Sequence, residues 1–129
     1  MEMRVALDTS RLTDLFHGDK ALAETLGNCE EVWIPPIVLG EIKAGFYAGN
    51  RQTVNEGLLR ALLAKDTVGV LIPTRETAEQ YARVFVQLKR AGTPTPDNDL
   101  WIAALVLEHD LSLITRDRHF RQLPQLHCL

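Results

Sequence analysis

Arg4-Val5-Ala6-Leu7-Asp8 is the stretch on which the reading of the fold turns. The apolar run is short, does not alternate, and stops abruptly at an acid. A strand covered by helices on both faces reads as such an unbroken run, whereas a strand with one wet face alternates. Three further stretches have a similar character: Val32-Trp33-Ile34, Val68-Gly69-Val70-Leu71-Ile72 and Leu111-Ser112-Leu113-Ile114-Thr115. Between them the apolar residues take helical spacing. Leu12, Leu15 and Phe16 mark one helix, and residues 21–26 another that Gly27-Asn28 stops. Pro35-Pro36 ends the second strand, and Pro36 suits the first turn of a helix carrying Val38, Ile42 and Gly45 with Phe46 beside them. Gly49-Asn50 closes that helix. Residues 51–65 read as a longer helix with Val54, Leu58, Leu59, Leu62 and Leu63 on one side.

Further along, Thr74 is expected to cap a helix running to Arg90, with Ala78, Tyr81, Ala82, Phe85 and Leu88 on its apolar face. Thr77 stands where a capping box would carry Glu, so an ordinary cap is expected. Ala91-Gly92 ends this helix and residues 93–96 form a proline-rich loop. Asp97 or Asn98 is expected to cap the last helix, which reaches about His109. Leu126-His127-Cys128 reads as a final extended piece. Strands alternating with helices predict α/β architecture: a single domain over residues 1–129, with helices on both faces of a central, mainly parallel sheet of four to five strands and right-handed crossovers.

Composition narrows the function. The chain has 129 residues, 46% hydrophobic and 24% charged, the profile of an ordinary soluble globular protein. That excludes collagen-like, mucin-like and wholly disordered chains. No apolar run approaches the roughly 18–20 residues that cross a bilayer, so no membrane association is expected. The start Met1-Glu2-Met3-Arg4 enters a strand at once and does not resemble a signal peptide. Two isolated cysteines, Cys29 and Cys128, fit reduced thiols and a cytoplasmic location. The net charge of −3, with 17 acidic against 14 basic residues, argues against a protein that coats DNA. It is compatible with an enzyme whose carboxylates hold a cation.

Four carboxylates stand out. Ligands of a parallel sheet sit beyond the carboxyl ends of its strands. Asp8 is the first residue past the first strand, and Asp117 lies two residues past the fourth, so both fall on one rim. Glu41 adjoins the apolar stripe of its helix, one turn from Val38 and Gly45. Asp99 precedes the inward-facing Ile102 and Ala103 by three and four residues, in the first turn where the helix dipole favours an anion. Each acid alone also has an ordinary reading: Asp8 as a strand-end or cap residue, Glu41 as a rim residue, Asp99 as a first-turn acid, Asp117 as a turn residue. Together they would repel one another unless some were protonated or a cation neutralised them. Oxygen-only ligands favour a hard ion, Mg²⁺ or Mn²⁺. Asp97 reads as a cap, because it is roughly 200° round the helix from Asp99.

Leu7-Asp8-Thr9-Ser10, Glu41, Asn98-Asp99-Leu100-Trp101-Ile102-Ala103-Ala104 and Leu113-Ile114-Thr115-Arg116-Asp117-Arg118-His119-Phe120 together resemble PIN-domain ribonucleases, and most of all the VapC-type toxins of toxin–antitoxin pairs. The match runs the length of the chain in the family's order. The resemblance implies a PIN-like sandwich and Mg²⁺- or Mn²⁺-dependent hydrolysis of RNA phosphodiester bonds by an activated water. It implies that Asp8, Glu41 and Asp99 hold the main ion, that Asp117 holds a second ion or a water, and that Ser10 and Thr115 hydrogen-bond the ligating carboxylates. Many relatives carry an acid where this chain has His119, and no metal role is extended to that residue.

Arg116 and Arg118 flank Asp117 and read either as a solvated turn or as contacts to substrate phosphate. Lys43, Arg11 and Arg51 are weaker candidates. His17, His109, His119 and His127 have no metal-ligand spacing to one another, and no Ser-His-Asp or Cys-His arrangement competes. The alternatives are another Mg²⁺-dependent phosphohydrolase and a PIN-like binding module without catalysis. A haloacid-dehalogenase-type phosphatase would want an acid where Ser10 stands. The resemblance also implies a cognate antitoxin protein and a homodimer. Leu12, Leu15, Phe16, Phe46 and Tyr47 are available either for an antitoxin groove or simply for the core. Trp101 reads equally as core or interface.

Overall fold

The structure is a computed structural model and describes residues 3–129; Met1 and Glu2, part of the signal-peptide reading, lie outside the described residues. Four strands, β1 (Arg4–Leu7), β2 (Glu31–Ile34), β3 (Val68–Val70) and β4 (Ser112–Ile114), form one sheet in the order β3-β2-β1-β4. Every neighbouring pair is parallel, with Ala6 opposite both Trp33 and Leu113. The helices are α1 (Thr9–Phe16), α2 (Lys20–Gly27), α3 (Pro36–Ala48), α4 (Gln52–Leu63), α5 (Arg75–Ala91) and α6 (Asp97–Glu108), followed by a short 3-10 helix, Arg118–Gln122. The connections through α1–α2 and α3–α4 advance the sheet in one direction. The connection through α5–α6 returns across it to the far side of β1. With the right-handed crossovers general to parallel strands, the two sets of helices fall on opposite faces.

The expectation from Val5-Ala6-Leu7 holds, since all three side chains are buried in the middle of the sheet. The third strand departs from expectation. Val68, Gly69 and Val70 are half-buried, and Ile72 is 74% exposed. β3 is an edge strand with one neighbour, and the chain leaves it after Val70. A Cβ on Gly69 would lie 2.7 Å from the Trp33 ring, so the glycine lets that indole pack across the strand pair. The piece near the C-terminus contributes an isolated bridge between Leu113 and Cys128, with the Leu113 N–H donating to the His127 carbonyl at 2.8 Å. It lies along the outer edge of β4.

Two caps differ from the sequence reading. Thr77 completes a reciprocal capping box, its hydroxyl accepting from the Thr74 N–H at 2.9 Å, so a threonine does what glutamate usually does. Asp97 does not cap α6; Pro96 holds that position without a side-chain bond, and the Asp97 carboxylate accepts a hydrogen bond from the Tyr81 hydroxyl. Proline can open the helix because no N–H is needed there. The apolar surplus also divides. Leu12 and Phe46 belong to the core, while Tyr47, Val54 and Leu58 are exposed on α3 and α4. Trp101 is half-buried and stacks on Tyr81, ring centroids 4.2 Å apart.

Candidate functional site

β1 and β4 are adjacent in the sheet but distant in sequence, and the direction of strand addition reverses between them. The crevice beyond their carboxyl ends is where a doubly wound sheet leaves room for a ligand. Asp8 leaves β1 there and caps α1, its Oδ1 accepting from the Arg11 N–H at 2.9 Å. Its Oδ2 accepts from the Thr115 hydroxyl just past β4. The Thr115 oxygen in turn accepts from the Asp117 N–H at 2.9 Å. One buried threonine thus ties the acid after β1 to the turn that carries Asp117. Asp117 caps the 3-10 helix, its Oδ1 accepting from the His119 N–H at 2.9 Å.

The helices bring the other acids. Asp99 is the third residue of α6, its backbone N–H bonded to the Pro96 carbonyl at 3.0 Å, where the helix dipole favours negative charge. Among the described residues its carboxylate accepts no hydrogen bond and forms no ion pair with Lys or Arg. Glu41 is exposed on α3, where the sequence reading set it on or beside the inward stripe; the Thr9 hydroxyl donates to its Oε1 at 2.8 Å. That bond fastens α3 to the start of α1.

The charges are strained against one another. Burial raises the Asp8 carboxyl above its ordinary range, and nearby Asp117 adds to this, against the hydrogen bonds from Thr115 and Arg11. Asp99 is pushed up to about 6, chiefly by burial and then by Asp117, Glu41 and Asp8, with His119 pulling the other way. Asp99, Asp117 and His119 each present a ligand atom, and the three atoms lie within 4.8 Å of one another. Two ligands on opposite sides of an ion at roughly 2.1 Å are about 4.2 Å apart, so this spacing suits a small divalent cation after a slight contraction. The donor set is a fit for such an ion.

The structure thus gathers Asp8, Asp99 and Asp117 on the rim and leaves Glu41 at its edge, close enough to raise the Asp99 carboxyl. Thr115 donates its hydroxyl to one of the four acids, Asp8. Ser10 does not. It is exposed and makes no side-chain hydrogen bond among the described residues, because α1 turns it away; its neighbour Thr9 makes the contact to Glu41. Arg116 is turned from the rim by a forked contact to Asp14, Nε to Oδ2 at 2.8 Å and Nη2 to Oδ1 at 3.0 Å. Arg118 is exposed, with no side-chain partner among the described residues. His119 was set aside in the sequence and stands in the cluster. The signal for it was its place two residues after Asp117, where a tight capped turn brings the imidazole back beside the acid.

Comparison with known proteins gives a consistent picture. The family described as PIN domain matches residues 5–126. Ribonuclease VapC5 of Mycobacterium tuberculosis is 29% identical over 87 residues, 67% of this chain and 64% of that protein. Ribonuclease VapC1 of Haemophilus influenzae is 34% identical over 73 residues, 55% of this chain and 54% of its own length. The matched segments span between about half and two thirds of these curated relatives. The structure of VapBC-1 from nontypeable Haemophilus influenzae superposes with a TM-score of 0.86 at 25% identity, covering 98% of this chain and 97% of that one.

Proposed function

The chain belongs to the PIN-domain family, and from that premise we propose that it is an endoribonuclease dependent on Mg²⁺ or Mn²⁺, the toxin of a VapBC-type toxin–antitoxin pair. One observation carries the metal reading: the Asp99 carboxyl, half-buried among Asp8, Glu41 and Asp117, forms no ion pair with Lys or Arg among the described residues. Arg116 offsets Asp8 and His119 offsets Asp99 only in part, and acids so incompletely balanced are suited to a counter-charge supplied from outside.

Asp8, Asp99 and Asp117 would hold the ion, with Glu41 closing the open side. When bound, the ion supplies charge neutralisation at the scissile phosphate and makes an attacking water easier to deprotonate. The chain's residues do the rest. Thr115 fixes Asp8 and the Asp117 backbone relative to one another, so two acids far apart in sequence keep one geometry. Thr9 restrains Glu41. Arg118, exposed beside the cluster, is the guanidinium free to contact a backbone phosphate of single-stranded or loop RNA. Arg116 is held by Asp14 and serves the frame.

The antitoxin would cover the apolar hollow between α1–α2 and α4, lined by Leu15, Phe16, Leu26, Leu58 and Leu62. Leu58 is 43% exposed, so Leu58→Asp should weaken co-purification with the antitoxin and leave the fold intact. The function is tested by incubating purified protein with single-stranded RNA. Cleavage should stop with a chelator and return with Mg²⁺ or Mn²⁺. Undiminished cleavage in chelator would contradict the proposal. Among the described residues no helix is long and apolar enough to cross a membrane.

A further inference from the structure

We propose that His119 is a ligand of the cation, making the site a mixed oxygen and nitrogen site that favours Mn²⁺ over Mg²⁺. The inference rests on the metal reading above and adds to it a ligand and an ion preference.

The His119 Nδ1 lies 3.0 Å from the Asp117 Oδ1. Two ligands at right angles around an ion, each roughly 2.1 Å from it, are also about 3.0 Å apart. The imidazole and the carboxylate therefore stand at the separation of adjacent corners of one coordination sphere. The Asp99 carboxylate belongs to the same triangle, all three ligand atoms within 4.8 Å of one another.

The backbone prepares this contact. Asp117 Oδ1 already accepts from the His119 N–H at 2.9 Å, and the 3-10 turn that follows curls the ring over the same oxygen. His119 is exposed, so it reaches an ion without leaving the core. The rival role is simpler: the ring only orients Asp117 by a hydrogen bond. The two roles differ in what the ion touches. Mg²⁺ prefers an all-oxygen shell, whereas Mn²⁺ accepts imidazole more readily, so a ligating His119 separates the two ions and an orienting one does not.

The experiment uses the full chain, Mn²⁺ and Mg²⁺. Pulsed electron paramagnetic resonance of the Mn²⁺-loaded protein reads nitrogen coupled directly to the metal, and calorimetry reads both affinities. His119→Asp and His119→Ala keep the backbone bond to Asp117, and circular dichroism checks their fold. We expect a nitrogen coupling in the parent that both variants lack. We also expect the preference for Mn²⁺ over Mg²⁺ to fall in His119→Asp on the order of tenfold, the size of effect typical when a metal-tuning group is replaced. An all-oxygen spectrum in the parent, with the ion preference unchanged in the variants, would overturn the proposal and leave the metal site standing. Absence of saturable binding of either ion would overturn the metal reading itself.

Discussion

Asp14 and Asp99 are both helix-borne carboxylates near the carboxyl end of the sheet, and they sit in opposite electrostatic worlds. Asp14, on α1, accepts a forked contact from Arg116 and a further bond from Arg11 at 2.9 Å, and these hold its carboxyl below the ordinary range. Asp99, on α6, faces other acids and is pushed up to about 6. Arg116 and Asp117 are adjacent in sequence, yet the arginine turns to the first region and the aspartate to the second. An acid whose charge the chain neutralises is part of the frame. An acid left among its own kind marks a place where a cation from solution is expected.

The largest expected contrast is in RNA cleavage. Asp99→Asn should lower the rate by more than the roughly hundredfold that a change behind a ligand costs. Asp14→Asn should leave the rate near that of the parent. Equal losses in a cleavage assay would erase the distinction between the two regions.

A smaller effect is expected at the link between the acids. Thr115→Val keeps the shape and removes the hydroxyl that bridges Asp8 and the Asp117 N–H. Metal affinity measured by calorimetry should weaken by roughly ten- to a hundredfold. An unchanged affinity would show that the acids hold their geometry without it.

Stability against pH should separate the two regions further. In chelator, folded Asp99 binds its proton up to about pH 6, whereas the unfolded chain releases it in the ordinary aspartate range. The folded state therefore holds more protons between these limits, and stability falls as pH rises through them. Screening at this partly exposed site reduces the effect to about 1 kcal/mol. Asp99→Asn without metal should accordingly melt about 3 °C higher than the parent at pH 7 and show less decline between pH 5 and 7. Asp14 has the opposite sign. Its lowered carboxyl contributes stability above the ordinary aspartate range, lost as pH falls below it. The smallest effect is Asp14→Asn at neutral pH, a loss below about 1 kcal/mol that shrinks with added salt. A salt-independent loss would mean that the Arg11, Arg116 and Asp14 group acts through packing.

The unbroken run at Val5-Ala6-Leu7 made the parallel sheet legible, because burial on both faces leaves no room for a polar residue. The positions of Asp8 and Asp117 followed from strand order. Asp99 was legible for a weaker reason than it seemed. Every residue from 100 to 106 except Trp101 is buried, so α6 has no single inward stripe, and its first-turn position says more. Ser10 faces water while its neighbour Thr9 meets Glu41, because a step of one residue, roughly 100° around a helix, decides whether a side chain faces the rim. His119 was hidden for another reason. Its approach to Asp117 depends on a 3-10 turn capped by Asp117 itself, which periodicity does not register. The pairing of Arg116 with Asp14 spans 102 residues, and no local pattern announces it.

The central claim is that the rim acids form a cation site. Thermal melts of the parent and of Asp99→Asn, each with chelator and with Mn²⁺, test it most directly. At a hundred times its dissociation constant, a ligand that binds only the folded state adds about 2.7 kcal/mol. We expect Mn²⁺ to raise the parent's Tm clearly and to leave Asp99→Asn almost unmoved, with the variant the more stable of the two in chelator. A parent whose Tm ignores Mn²⁺, together with a variant that melts lower in chelator, would show that Asp99 is only a stabilising first-turn acid.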